Sequence, residues 1–71
     1  MVIVSQDKTE FVNFNNVTSI FCEQSKIKCV FLIDKSVTLG EYETEERAKD
    51  ILKKMINAIG LDMYMYQMPK K

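Results

Sequence analysis

Residues 39–60 read LGEYETEERAKDILKKMINAIG, and this stretch contains the local signals of one amphipathic helix. Thr44 is a typical N-cap residue, and Glu45 and Glu46 follow where carboxylates stabilise the positive end of a helix dipole. Apolar residues then recur at steps of three and four, which predicts one buried stripe: Ala48, Ile51, Leu52, Met55, Ile56 and Ile59. Gly60 is predicted to end the helix in a left-handed conformation.

The predicted exposed side of this helix has a favourable charge order. Glu45 precedes Lys49 by four residues, and Asp50 precedes Lys54 by four, with the acid first in each pair. Because capping, periodicity and charge order all agree, we interpret the segment as a structural element and not as a site of chemistry.

The residues before the helix alternate between short apolar runs and polar breaks, as strands and tight turns do. The runs are Val2–Val4, residues 10–14, 17–22, 27–33 and 37–39. Asn15-Asn16 is predicted to form a hairpin tip, because asparagine tolerates the left-handed conformation of such turns. We therefore expect an α+β fold in which one C-terminal-half helix packs on one face of an antiparallel β-meander of four to five strands.

The central hairpin of that meander is predicted to be apolar on both faces. A turn centred between Ser25 and Lys26 would place Cys22 opposite Cys29. One face would hold Ile20, Cys22, Cys29, Phe31 and Ile33, and the other would hold Val17, Phe21, Val30 and Leu32. One helix covers only one face, and the sequence leaves open which. The second face is expected to meet another protein or a second copy, unless the sheet curls into a half-barrel and covers it.

Residues 61–68, LDMYMYQM, alternate aromatic and thioether side chains before Pro69, which predicts a short final strand. This strand either joins the sheet or pairs with a second copy of the chain. Aromatic residues and methionine are enriched at protein interfaces, so the candidate interface consists of Met63, Tyr64, Met65, Tyr66 and Met68.

Length and composition predict a single small domain over residues 1–71, with 46% hydrophobic residues for its core. A core this small supplies only a small free energy of folding, and this favours association with a partner. The ten basic and ten acidic residues cancel, so no overall field attracts nucleic acid or anionic lipid. No apolar run reaches the ~20 residues of a membrane span, and the first residues lack the basic region of a signal peptide. We expect a cytoplasmic protein that does not bind membranes.

Little in the sequence supports catalysis. Histidine is absent, so the commonest general base and the usual activator of a nucleophile are missing. The two glycines, Gly40 and Gly60, are too far apart for a phosphate-binding loop. Two thiols alone do not complete a zinc shell, and Cys22 and Cys29 are predicted to be reduced and buried. We expect no enzyme, metal, cofactor or small-molecule substrate.

Two hypotheses for function follow. The first is a non-catalytic protein-interaction module that forms a homodimer or binds another protein. The alternative is a small single-stranded nucleic-acid-binding or regulatory protein, in which Phe11, Tyr64 and Tyr66 stack on unpaired bases. The nearest cations to the tyrosines, Lys70 and Lys71, lie in a tail and not between the aromatic residues, so protein interaction is favoured.

Three short segments carry a resemblance to known sequences. LGEYETEERA (Leu39–Ala48) and YQMP (Tyr66–Pro69), together with the opening VSQD (Val4–Asp7), resemble small uncharacterised proteins of low-GC Gram-positive bacteria and their phages. Those proteins are similar in length, so the resemblance covers most of the chain. It implies a bacterial or prophage origin, and it implies no activity and no site residue.

Overall fold

The fold is that of a computed structural model, which describes residues 1–32 and 35–71. It is α+β, as predicted, with six strands and one α-helix. In chain order the elements are β1 (Val2–Val4), β2 (Phe11–Asn13), a 3-10 turn (Phe14–Asn16), β3 (Ser19–Glu23), β4 (Lys26–Leu32), β5 (Lys35–Glu41), α1 (Glu45–Gly60) and β6 (Met65–Gln67). The predicted strand end and face position of Ile33, and the side chain of Leu32, lie outside the described residues.

The six strands form two sheets and not the single meander that the sequence predicts. The terminal sheet, in the order β2-β1-β6, has β1 at its centre, antiparallel to β2 and parallel to β6. The meander sheet, in the order β3-β4-β5, is antiparallel throughout. The meander prediction therefore applies to only half of the strands.

The chain leaves the terminal sheet at Asn15-Asn16, so the prediction of a hairpin tip there is wrong. The Asn13 side chain accepts a hydrogen bond from the backbone N–H of Asn15 at 3.0 Å, and this contact caps a 3-10 turn. Strand β2 pairs with the preceding strand β1, and β3 pairs with the following strand β4, so β2 and β3 do not pair with each other. Asparagine's local hydrogen bonding explains the difference, because a capped turn redirects the chain without returning it alongside itself.

The central hairpin turns at Gln24-Ser25, one residue earlier than predicted. Cys22 consequently lies opposite Ile27, and the predicted pairing of Cys22 with Cys29 is wrong. Gln24 has φ 55°, and a positive φ at the first loop residue is a feature of tight two-residue hairpin turns. Because the register differs by two residues, the described side chains of β3 and β4 keep their predicted faces, although their partners change. Val17, which precedes β3, packs against the core, so its predicted place on the face of Phe21 and Val30 is wrong.

The new partners make the outer face of the meander sheet mixed in polarity. Phe21 lies opposite Lys28, and Val30 lies opposite Ser19. The Nζ atom of Lys28 lies 2.8 Å from Oε1 of Glu23 in an ion pair on this face. The prediction that both faces of the central hairpin are apolar is therefore wrong for the described residues.

One core joins the two sheets and the helix. Its fully buried members include Ile3 from the terminal sheet, Ile27 and Cys29 from the meander sheet, and Ile51 and Met55 from α1. The helix thus covers the face that carries Ile20, Cys22, Cys29 and Phe31, which answers a question that the sequence left open. The terminal sheet adds Ile3 and, from beyond its last strand, Met68 to the same core.

The start and the charge pattern of α1 agree with the prediction. Oγ1 of Thr44 accepts a hydrogen bond from the backbone N–H of Arg47 at 3.1 Å, which is N-cap geometry. Lys49 pairs with Glu45 at 3.0 Å, and Lys54 pairs with Asp50 at 3.3 Å.

The end of α1 and one side of its stripe differ from the prediction. Gly60 belongs to the helix and has no positive φ, so its predicted role as a left-handed stop is wrong. Asp62 takes that role with φ 57°. Ile56 is 60% exposed, whereas Ala58 is buried, so the buried stripe is centred on Ile51 and Met55 and leaves Ile56 at its border.

Gln6 connects the terminal sheet to β5 and to the last residues of the chain. Its backbone N–H donates to the carbonyl oxygen of Leu39 at 2.8 Å, and its Oε1 accepts from the N–H of Glu41 at 2.9 Å. Its Nε2 donates to the carbonyl oxygen of Lys70 at 2.6 Å. One side chain therefore fixes three separate segments relative to one another.

Tyr42 closes the core beside Gly40. A Cβ atom on Gly40 would lie 2.8 Å from Oη and 2.9 Å from Cε2 of Tyr42, so glycine makes room for the ring. The ring is 5% exposed, and its hydroxyl donates to the carbonyl oxygen of Pro69 at 2.8 Å. Desolvation, followed by the nearby Tyr66, raises the pKa of Tyr42 to about 12.

Candidate interaction surface

The terminal sheet has one face turned away from the core, which we call the outer face. Val2 pairs with Asn13 on β2 and with Met65 on β6, while Val4 pairs with Phe11 and Gln67. Because directly paired residues share a face, the outer face consists of Val2, Val4, Phe11, Asn13, Met65 and Gln67. The alternate residues Ile3, Val12 and Tyr66 point to the core side.

The centre of the outer face is apolar and open to solvent. Phe11 is 73% exposed and Met65 is 54% exposed, and they flank the partly buried Val2 and Val4. Tyr64, immediately before β6, is 94% exposed. Contiguous apolar side chains at the surface of a small domain are typical of interaction sites.

The structure divides the five predicted interface residues into three groups. Met63, Tyr64 and Met65 are exposed, with Met65 on the outer face itself. Tyr66 points inward and is partly buried, and desolvation raises the pKa of its phenol. Met68 is 1% exposed and belongs to the core, so it is not available to a partner.

The final strand is shorter than predicted and joins the sheet within the same chain. The N–H of Val2 donates to the carbonyl oxygen of Tyr64 at 3.0 Å, and the N–H of Met68 donates to that of Val4 at 3.0 Å. Parallel pairing with β1 fixes which residues of β6 face outwards. Of the two alternatives for this strand, pairing within the chain is the one observed.

The end of α1 positions Tyr64 and Met65. The N–H of Asp62 donates to the carbonyl oxygen of Ile59 at 3.1 Å, and the N–H of Met63 donates to that of Ala58 at 3.4 Å. These two bonds, with Asp62 in the left-handed region, form a Schellman motif. The motif turns the chain sharply from the helix into β6.

The sequence alone did not identify Val2, Val4 and Phe11 as parts of one surface. The run Val2-Ile3-Val4 is uniformly apolar, so it predicts a short strand without indicating which residue points inward. Placing Phe11 and Met65 beside it requires the pairing of β1 with both β2 and β6, and the second of these joins residues more than 60 positions apart.

The electrostatics of the outer face suit apolar contact. The three strands VIV, FVN and MYQ contain no charged residue, and only Asn13 and Gln67 contribute polar side chains to this face. A nucleic-acid platform places cations between its aromatic rings, and these strands contribute none.

The two thiols lie away from this face. Cys29 is fully buried, and desolvation, followed by the charge of Glu10, raises the pKa of its thiol. The raised pKa keeps the thiol protonated at neutral pH, which is its less reactive form. Cys22 is partly buried, and its Sγ donates to the carbonyl oxygen of Gln24 at 3.1 Å.

Comparison with known proteins leaves the surface to be interpreted from its own geometry. Within residues 1–32 and 35–71, no helix has the length and apolar composition needed to cross a membrane. No protein-family model, no curated protein and no solved structure matches this chain.

Proposed function

We propose that this protein is a non-catalytic interaction module that forms a homodimer through its outer face. The observation that supports the proposal is the exposure of Phe11 and Met65, which are 73% and 54% exposed on either side of Val2 and Val4. Burying one large apolar side chain contributes about 1.5–3 kcal/mol, which offsets part of the translational and rotational freedom lost on association.

The geometry of the outer face suits pairing with its own copy. Two flat sheet faces pack about 10 Å apart with their side chains interdigitated. A two-fold axis would place the Phe11 and Met65 of one copy against the same patch of the other, which is the arrangement of an isologous dimer. Asn13 would lie at the rim, where polar residues remain hydrated.

Sedimentation equilibrium across the micromolar range tests this proposal. The native chain is expected to sediment at twice its monomer mass, and the variant Phe11→Ser/Met65→Ser is expected to be monomeric over the same range. Phe21→Ser is the matched control, because Phe21 is a partly exposed phenylalanine on the other sheet. A native chain that stays monomeric at every micromolar concentration contradicts the homodimer.

Single-stranded nucleic-acid binding is the second candidate, and the exposed rings of Phe11 and Tyr64 are the observation in its favour. A fluorescent oligothymidylate would report binding as a rise in anisotropy that weakens with added salt. If anisotropy does not change at low salt, this candidate is rejected.

A further inference from the structure

The five methionines of the chain differ sharply in how far solvent reaches them. Met65 is 54% exposed and Met63 is 43% exposed. Met55 and Met68 are each 1% exposed in the core, and Met1 is partly buried against it. Because oxidation of a thioether requires contact between the oxidant and the sulfur atom, a peroxide in solution reaches Met63 and Met65 first.

The two exposed methionines occupy different parts of the surface. Met65 pairs directly with Val2 and lies on the outer face. Met63 lies before β6, in the turn that follows α1, where its backbone N–H donates to the carbonyl oxygen of Ala58 at 3.4 Å. Of the five methionines, Met65 alone places its sulfur atom on the outer face.

The two thiols offer the oxidant no comparable site on the outer face. Cys29 is fully buried, and its thiol is held in the protonated form, which is a poor nucleophile. Cys22 lies on the meander sheet, where its Sγ donates to the carbonyl oxygen of Gln24 at 3.1 Å. Oxidation of Met65 is therefore the sulfur chemistry that changes the outer face.

The reaction of Met65 with hydrogen peroxide is the transfer of one oxygen atom. A lone pair of the thioether sulfur attacks an oxygen atom of the peroxide, the S–O bond forms, and the O–O bond breaks. The proton on the transferred oxygen passes to the departing hydroxide, so the products are methionine sulfoxide and water. The sulfur is oxidised by two electrons and the peroxide is reduced by two.

The sulfoxide oxygen makes one edge of the outer face polar. This oxygen accepts hydrogen bonds from water in the monomer, and a second copy packed on the face would displace that water. Gln67, the polar neighbour on the same strand, already donates through its Nε2 to the carbonyl oxygens of Ser5 at 3.0 Å and Met68 at 2.9 Å. The strands VIV, FVN and MYQ contribute no charged donor in its place.

We infer that Met65 is an oxidation site through which peroxide dissociates the homodimer, and this inference rests on the proposed dimerisation through the outer face. Association covers the sulfur atom, so peroxide acts on the monomer, and oxidation and association exclude each other. Each sulfoxide oxygen that loses its water costs about tenfold in affinity, and a symmetric dimer contains two, so oxidation weakens the dimer about a hundredfold. Methionine sulfoxide reductase restores the thioether and, with it, association.

Peptide mass spectrometry and sedimentation equilibrium on the same samples test this inference. After treatment with hydrogen peroxide, the chain is expected to carry one added oxygen atom at Met63 and one at Met65, with Met55 and Met68 unmodified. Its dissociation constant is expected to rise about a hundredfold and to return after treatment with the reductase. As protein concentration rises through the dissociation constant, oxidation of Met65 is expected to slow, whereas that of Met63 is not.

Two leucine variants assign the effect to one sulfur atom. Met63→Leu is the matched control, because it removes the other exposed methionine and leaves the outer face intact, and its dimer is expected to dissociate in peroxide as the native dimer does. Met65→Leu lacks the reactive sulfur, so its dissociation constant is expected to be the same before and after treatment. All proteins carry Cys22→Ser, which removes the less buried thiol from the measurement.

Four results would overturn the inference. They are an unmodified Met65 in a sample whose Met63 is fully oxidised, an unchanged dissociation constant after oxidation of Met65, an equal response of Met65→Leu to peroxide, and unfolding of the oxidised chain in circular dichroism. A native chain that is monomeric before treatment contradicts the proposed function and this inference together. A dimer that withstands oxidation of Met65 contradicts this inference alone.

Discussion

Gly60 occupies the last turn of α1 with no positive φ, and a Cβ atom at this position would meet no atom within 4 Å. Glycine at a helical position costs about 0.5–1 kcal/mol relative to alanine, because its unfolded backbone has more freedom to lose. Asp62 has φ 57°, so Asp62 and not Gly60 adopts the left-handed conformation at the helix end. The residue that ends the helix is therefore not its glycine.

Replacing Gly60 with alanine is expected to stabilise the protein by about 0.5–1 kcal/mol, which is roughly 2–8 °C in Tm for a domain of this size. Thermal unfolding followed by circular dichroism measures the change. Asp62→Ala is the contrasting variant and is expected to lower Tm, because alanine is strained at a positive φ. A lower Tm for Gly60→Ala would indicate instead that Gly60 adopts the left-handed conformation that the sequence predicts.

At the scale of the element, α1 shows how burial differs between chemically identical side chains. Ile51 is fully buried, and Ile56 is 60% exposed at the border of the stripe. Both match the same apolar periodicity, so the sequence pattern assigned them to the same stripe. Their difference comes from where the helix rests on the meander sheet.

These two isoleucines form a matched pair for mutation. Ile51→Ala is expected to cost about 2–5 kcal/mol, because it leaves a cavity in a closed core, and Ile56→Ala is expected to cost at most about 0.5 kcal/mol. Urea denaturation of both variants measures the free energies of unfolding. Equal losses would show that α1 packs on the meander sheet with a different rotation about its own axis, one that buries Ile51 and Ile56 alike.

Local signals predicted local features of the elements correctly. The cap at Thr44 and the ion pairs of Lys49 and Lys54 depend only on residues three or four apart, and each is observed. The hairpin register depends on which of two adjacent positions starts the turn, and polar residues at 23–26 do not distinguish them. Gln24 accepts a strained φ that no residue preference would predict.

The whole molecule depends on contacts that no local pattern contains. Splitting the strands into two sheets follows from β1 pairing with β6, and from Gln6 bonding to both β5 and Lys70. The exposure of three predicted interface residues, Met63, Tyr64 and Met65, could be expected from composition, whereas the burial of Met68 required the complete core.

Tyr42 makes the stability of the whole molecule sensitive to alkaline pH. Its pKa is about 12 in the folded protein and 10.0 without perturbation, so the folded state favours the neutral phenol. The stability that the folded protein gains from keeping the Tyr42 phenol neutral is complete below pH 10. It is lost as the pH rises from 10 towards 12, because the phenol of the unfolded chain ionises first. The loss is expected to reach about 2 kcal/mol.

Urea denaturation at pH 8 to 12 measures that loss, with Tyr42→Phe as the control. The variant lacks the ionisable group and the bond to Pro69, so it should be less stable at pH 8 and lose less stability between pH 10 and 12. Parallel pH curves for the two proteins would exclude Tyr42 as the cause.

The parallel pairing of β1 with β6 also sets an order for folding during synthesis. Residues 2–4 leave the ribosome before their partners at 65–67, with the meander sheet and α1 encoded between them. The meander sheet and α1 join residues close in sequence, so they can form while translation continues. Until residues 65–67 emerge, the edge of β1 that pairs with β6 lacks its strand partner, so the terminal sheet is completed after the meander sheet and α1.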